Sequence, residues 1–262
     1  GMIVPEKHHG LRRVSVDGRV GPLMDGAPPN VLARVDSGFL DVVLDPDFAS
    51  NRMIYVAFAE GTEDANRTAI WKARLDRDRL SEGRVIFRVN AAKKGPAHPG
   101  GRLLFLADKT LLLTVGDGFD YRDAAQDMAS HLGKVLRLTR EGAAAPGNPF
   151  SKAGVAAEIW TSGHRNIQGL TLDPSTGEVW SHEHGPHGGD EINVLRPGHN
   201  YGWPSVSHGI DYDGTVLTER AFGPGYEPSR FVWSPSIAPS GLTLYRGSPH
   251  PDRPGKLFVG GL

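Results

Sequence analysis

The chain has 262 residues, with 29 Lys and Arg against 30 Asp and Glu, a net charge of -1 and 39% hydrophobic residues. That length can bury a substantial core, and the balanced charge excludes a global basic field for nucleic acid or an anionic membrane surface, so a small-molecule partner is expected. The absence of cysteine removes disulfides, thiolate catalysis and thiolate zinc sites, and leaves the redox compartment open.

At the N-terminus, Gly1 before Met2 reads as a remnant of tag cleavage, and "IVPEKHHGLRRV" holds no apolar run that could serve as a signal peptide. The expectation is a cytoplasmic chain or one whose natural beginning is missing. Further on, 34 glycines and 20 prolines exceed the usual roughly 7% and 5%, which marks a chain that turns often.

Four segments then repeat one pattern, a glycine, an apolar run, a turn and a second apolar run. They are "SGFLDVVLDPDFASNRMIYVAFA", "GGRLLFLADKTLLLTVGD", "QGLTLDPSTGEVWSHEHG" and "SGLTLYRGSPHPDRPGKLFVGGL". Each reads as two antiparallel strands around a turn. The leading glycines, Gly38, Gly101, Gly169 and Gly241, are spaced 63, 68 and 72 residues apart, which suits a four-stranded propeller blade with long connections. Helical periodicity is weak, and "RDAAQDMASHL" is the best helical candidate. The fold class is therefore all-β, a β-propeller of roughly four blades, with a small irregular all-β fold as the alternative.

The residues just before the first strand of each repeat fall at equivalent places, which in a propeller converge on one end of the central channel. These are Asp36, then His98 in "AHPGG", then Arg165, Asn166 and Gln168 in "SGHRNIQGL", then Ser240. Together they offer a base, a fixed cation and amide donors for one ligand; His98 alone reads equally as a turn residue. Between the second and third repeats, the carboxylates of "GDGFDYRDAAQDMASHLGKVLRL" read as solvated or ion-paired.

In "HEHGPHGGDEINVLRPGHNYGWP", residues 182 to 204, Gly-Pro and Gly-Gly steps free backbone carbonyls beside Asp190 and Glu191. Carbonyls with carboxylates are hard oxygen ligands that suit Ca²⁺, while a solvated turn is the plainer reading. His182 and His184 would share one face of a strand, so a zinc site and simple loop histidines both remain open.

These motifs, in this order, resemble the soluble quinoprotein glucose/sorbosone dehydrogenases, including the aldose sugar dehydrogenases that use pyrroloquinoline quinone (PQQ). The resemblance rests on "GFLDVVLDPDF", "HPGGRL", "GD" followed by "AQD" and "HLGKVLRL", "GHRNIQGL", "HEHGPHGGDEIN", "GHNYGWP" and "PSIAPSGL", and runs from about Val14 to Leu262. It implies a six-bladed propeller, of which residues 1–262 form one incomplete domain. It also implies PQQ-dependent oxidation of an aldose at the anomeric carbon to a lactone.

Carried over residue by residue, His98 is the implied general base and Arg165 the fixed cation that stabilises the reduced quinone, with Asn166 and Gln168 beside the cofactor. The carbonyls of Gly185 and Pro186 match ligands of a calcium that polarises PQQ. Glu191 and the carbonyl of Tyr201 match those of a second, structural calcium. Trp233 resembles an aromatic wall beside the sugar.

The chain departs from the family pattern at Asp36, where a glutamine is usual and where a carboxylate would face a tricarboxylate cofactor. Ala97 replaces the polar neighbour of the base, and His187 stands where Arg or Gln is common. The family's cationic segments would lie beyond Leu262, which implies a chain truncated at both ends. The implied partners are a sugar and an electron acceptor, without nucleic acid or a membrane span, and a homodimer is open. The implied location is periplasmic or secreted. Two rival readings are an inactive calcium-binding propeller fragment and a calcium-dependent lactonase-like hydrolase.

Overall fold

The computed structural model describes residues 1–247 and 253–262. The "SPHPD" turn expected in the fourth repeat lies outside the described residues.

Five antiparallel sheets follow one another along the chain. The first is β1 (Met2–Glu6), β2 (Gly10–Val14) and β3 (Val20–Leu23). The second is β4 (Phe39–Leu44), β5 (Met53–Gly61), β6 (Asn66–Asp76) and β7 (Arg79–Arg88), with the one-turn helix α1 (Phe48–Asn51) between its first two strands. The third holds β8 (Leu103–Phe105), β9 (Leu111–Val115), β10 (Lys134–Leu138) and β11 (Ile159–Ser162). The fourth holds β12 (Ile167–Leu172), β13 (Val179–Glu183), β14 (Asp190–Leu195) and β15 (Phe231–Trp233), and the fifth holds β16 (Leu242–Leu244) and β17 (Leu257–Val259).

Each predicted pair is present as β4–β5, β8–β9, β12–β13 and β16–β17. The first strands of successive sheets pack side by side, β1 on β4, β4 on β8, β8 on β12 and β12 on β16. This is a β-propeller, with three four-stranded blades between two partial ones among the described residues. The predicted helix shrinks to a 3-10 turn over Arg122–Ala125. Its backbone instead follows a chain of turns: Lys134 donates to the Ala124 and Ala125 carbonyls, and Gln126 donates out to the Trp203 carbonyl.

Blade stacking explains why some strands are apolar on both sides. Along a strand, successive side chains face opposite ways. Leu111, Leu113 and Val115 of β9 enter the core shared with β4–β6, whereas Leu112 enters the core with Trp160, Ile167 and Val179. In β5, Ile54 and Val56 pack toward the first blade and Tyr55 and Ala57 toward the third. Each fully buried side chain of this kind contributes about 1.5–3 kcal/mol.

Two of the leading glycines serve this stacking. A Cβ on Gly38 would run into the carbonyl of Lys7 in the preceding blade, and one on Gly101 into the side chain of Leu40. Both also have positive φ, which glycine adopts without strain. Among the described residues, no helix is long and apolar enough to cross a membrane.

Candidate active site

Because the inner strands stand side by side, the loops that precede them meet. A cavity of about 410 Å³ is lined by Asp36, His98, Arg165, Asn166, Gln168 and Ser240, the residues singled out in all four repeats. Lys7, Arg102, His184 and Tyr212 join them. The volume lies within the range of small-molecule sites, about 300–1,000 Å³. A larger groove of about 620 Å³ lies beside Met2, Ile3, Val42, Leu44 and Phe48, lined mainly by apolar side chains and without an acid–base pair.

His98 is buried, and its Nδ1 lies 2.7 Å from Oδ1 of Asp117. A carboxylate there can only accept, so Nδ1 donates, and in the neutral imidazole Nε2 is the nitrogen that keeps its lone pair. Among the described residues Nε2 has no hydrogen-bond partner. Asp117 is itself buried and fixed on three sides, accepting from the Phe119 amide at 2.8 Å and, through Oδ2, from Trp203 Nε1 at 2.8 Å. The carboxylates of this segment were expected to be solvated or ion-paired; Asp117 is not solvated but buried, and its bond to His98 supplies the polar partner that Ala97 does not. His98 and Phe119 both have positive φ, a backbone conformation that costs on the order of 1–3 kcal/mol and is held only by surrounding contacts.

The "GHRN" stretch divides its side chains between two tasks. His164 is fully buried, bonded through Nδ1 to Glu183 Oε1 at 2.9 Å and through Nε2 to Thr161 at 2.8 Å, and stacked on Tyr201 with ring centroids 4.7 Å apart. Arg165 turns to the cavity. Its amide donates to Glu183 Oε2 at 2.7 Å, and its guanidinium donates to the carbonyls of Gly185 at 2.7 Å and His184 at 3.3 Å and to the Tyr212 hydroxyl at 3.3 Å. The guanidinium also lies over the Trp203 ring at 5.4 Å. Asn166 Oδ1 accepts from Gln168 Nε2 at 2.9 Å, and Gln168 Oε1 faces Arg102 at 3.5 Å. Arg102 lines the cavity, and its Nε is buried without a partner among the described residues. Sequence reasoning missed Arg102 and Asp117, although "GGRL" and "GD" are among the motifs that carry the resemblance.

A second, smaller cavity, with about 20 Å³ of free space, lies behind Arg165. Its lining includes Glu183, Glu191, Gly185, Pro186 and Tyr201. That space holds one water-sized occupant. Asn193 Nδ2 reaches both Glu183 and Glu191 at 3.3 Å, while its own Oδ1 is buried and unpartnered. Burial, then the nearby Glu183 carboxylate, push the Glu191 carboxyl well above the usual range. Two carboxylates forced together beside an orphaned amide oxygen fit a hard cation with oxygen ligands. The Gly185 carbonyl is shared with Arg165. Among the described residues no three His, Asp or Glu side chains cluster as a metal site, so a cation here would draw on backbone carbonyls as well.

Asp190, expected either as a cation ligand or as a solvated turn residue, is instead a buried clamp. It accepts from the amides of Gly185 at 2.9 Å, Ile237 at 2.8 Å and Ala238 at 3.0 Å, tying "HGPHGG" to "PSIAPS". His182 is buried against Gly169 and Leu242, where burial lowers its pKa to about 4, and His184 Nε2 donates to the Pro239 carbonyl at 2.7 Å, so the two do not form a ligand pair. Trp233 lies on the outer strand β15, edge-on to Phe231, and is not among the residues lining either cavity.

A family model described as Glucose / Sorbosone dehydrogenase matches residues 1–262. The chain is 44% identical over 244 residues to an uncharacterized protein of Synechocystis, covering 88% of this chain and 59% of that one. It is 37% identical over 268 residues to the aldose sugar dehydrogenase YliI of Escherichia coli, covering 100% of this chain and 72% of the relative. The chain thus spans well short of the full length of both relatives. Among solved structures, a glucose dehydrogenase superposes with a TM-score of 0.95 at 39% identity, over 100% of this chain and 77% of that one. The PQQ-bound aldose sugar dehydrogenase of Streptomyces coelicolor superposes with a TM-score of 0.79 at 32% identity, over 99% of this chain and 70% of that one. With its whole length matched, its blades superposed and its four repeat loops joined in one cavity, the chain belongs to the glucose/sorbosone dehydrogenase family.

Proposed function

We propose that the chain carries the catalytic half-sites of a PQQ-dependent aldose dehydrogenase, which oxidises the anomeric carbon to a lactone. The observation that carries this reading is the buried His98–Asp117 pair opening onto the same cavity as Arg165. The residues fit the cofactor: Lys7, Arg102 and Arg165 bring three cations to one cavity suited to a tricarboxylate. Asp36 opposes this charge on the same wall.

When bound, PQQ supplies the two-electron hydride acceptor. His98 Nε2 takes the proton of the anomeric hydroxyl as the hydride leaves that carbon, so the hydroxyl becomes the lactone carbonyl. Asp117 holds the imidazole in the tautomer that leaves Nε2 free and stabilises the charge the ring gains. Arg165, locked by the Gly185 and His184 carbonyls, presents a fixed cation where negative charge develops on the acceptor. Asn166 and Gln168, bonded to each other, orient amide groups toward the same ligand.

The Gly185 and Pro186 carbonyls are the candidate calcium ligands on the cofactor side, and Glu191 with the Tyr201 carbonyl on the structural side, supported by the crowded carboxylates and by Asn193 Oδ1. The reading is tested by sugar-dependent dye reduction after loading with PQQ and Ca²⁺. Turnover that disappears in His98→Ala supports it. Turnover equal in His98→Ala and the parent, or lactone hydrolysis without PQQ, contradicts it.

A further inference from the structure

Two large, partly exposed aromatic rings stand at this site, Tyr212 in the lining of the cavity and Phe119 against the ring of His98. Phe119 is 43% and Tyr212 58% exposed, an arrangement that costs apolar hydration unless something covers it. Phe119 meets the His98 ring edge-on, with centroids 5.1 Å apart at 84°. Tyr212 lies nearly parallel to Phe119, at 6.2 Å and 28°.

Neither ring is loosely attached. The Phe119 amide donates to the carboxylate that holds His98, so the ring and the base are aimed by one group. Tyr212 sits on the long connection between β14 and β15. Asp211, its neighbour in sequence, is bonded to Arg122 of the third blade at 2.9 Å, and backbone bonds join Ile210 to His187. The Arg122–Asp211 pair therefore latches the loop of one blade to that of the next and brings Tyr212 over Phe119. The Tyr212 hydroxyl also touches Arg165. The rings thus span the two groups assigned to the chemistry.

A pyranose ring has hydroxyls around its rim and C–H bonds on its faces. An aromatic face covers the C–H side while leaving the rim free for hydrogen bonds. We infer that Phe119 and Tyr212 form the platform on which the C–H face of the aldose rests, with its anomeric hydroxyl turned to His98. The inference rests on the proposed dehydrogenase reading and assigns its sugar-recognition surface to these two rings, a role that the sequence had pointed to Trp233 for. Because the platform touches substrate and not the transferred hydride, it acts on substrate affinity more than on turnover.

The test compares initial rates with D-glucose as the probe aldose in protein loaded with PQQ and Ca²⁺, alongside PQQ titrations. Phe119→Leu raises KM about tenfold, a size typical of a lost aromatic contact, with kcat changed by less than about threefold. PQQ affinity stays within about twofold, and Phe119→Tyr recovers most of the lost sugar affinity. Phe222→Ala, which removes another exposed ring of the same connection, leaves KM unchanged. Asp211→Asn, which removes the charge from the latch without touching either ring, raises KM in the same direction and covers the case of a Phe119 variant that does not fold. A KM for D-glucose unchanged in both Phe119→Leu and Asp211→Asn overturns the platform while leaving the dehydrogenase reading intact. A parent protein that binds PQQ to no extent, or turns over no aldose, overturns both.

Discussion

Asp117 grips His98 at 2.7 Å through Nδ1, and the same carboxylate is held from its other oxygen by the indole of Trp203. No torsional freedom is left to the base, although His98 and Asp117 are 19 residues apart and Trp203 comes from the next blade. In Asp117→Asn, the amide must turn its NH₂ toward either the His98 and Phe119 donors or the Trp203 N–H, and one contact becomes donor against donor. Turnover should fall on the order of 10²-fold with PQQ affinity changed less than about threefold. Steady-state kinetics with a PQQ titration measure both, and an unchanged kcat would remove Asp117 from the account.

Glu183 is the hub on the protein side of Arg165. It receives His164 Nδ1, the Arg165 amide and Asn193 Nδ2. Glu183→Gln leaves buried donors facing an NH₂ group, at a cost of about 2–4 kcal/mol. Denaturant unfolding should show this loss, together with weaker PQQ binding because the Arg165 backbone is no longer held.

Calcium should stabilise the fold through the small cavity behind Arg165. At a hundredfold excess over Kd, a ligand bound only by the native state adds about 2.7 kcal/mol. Thermal unfolding with Ca²⁺ and with a chelator should therefore separate in the parent protein. In Glu191→Gln, which removes one of the two crowded carboxylates, the two curves should draw together.

Lys134 offers a pH-dependent prediction. It is fully buried, donating to the carbonyls of Ala124, Ala125 and Leu132, and burial lowers its pKa from 10.5 to about 7 while Asp127 pulls the other way. Between about pH 7 and 10.5 the unfolded lysine holds a proton that the native one has lost, so stability rises with pH across this window. Lys134→Met should flatten that rise and lower stability by about 2 kcal/mol, since buried carbonyls lose their donor. Denaturant midpoints across the window measure both effects.

The repeat was legible because inner and second strands carry alternating apolar runs that both neighbours bury, and because Gly38 and Gly101 mark the close approach of the preceding blade. The convergence of Asp36, His98, Arg165 and Ser240 was legible for the same reason, since equivalent repeat positions meet at one end of the channel. Their partners were less legible, because they lie a strand or more away in sequence: Asp117 follows β9 and Glu183 ends β13. Gln126 and Asn200 exchange side-chain hydrogen bonds at 3.1 and 2.7 Å across 74 residues, and nothing local in "AQD" or "GHNYGWP" announces it. Asp117 looked like any loop acid, because its burial is set by Trp203 and Phe119. Trp233 looked like a site residue by its motif, but strand pairing carries it to the blade's outer edge.

The central claim is that one cavity holds the cofactor between Arg165 and His98. Calorimetric titration of the purified protein with PQQ, with and without Ca²⁺, tests it most directly when repeated on Arg165→Ala. The account predicts calcium-dependent binding that weakens at least about tenfold in the variant. No heat of binding at high micromolar protein, or equal affinity in Arg165→Ala, would contradict it.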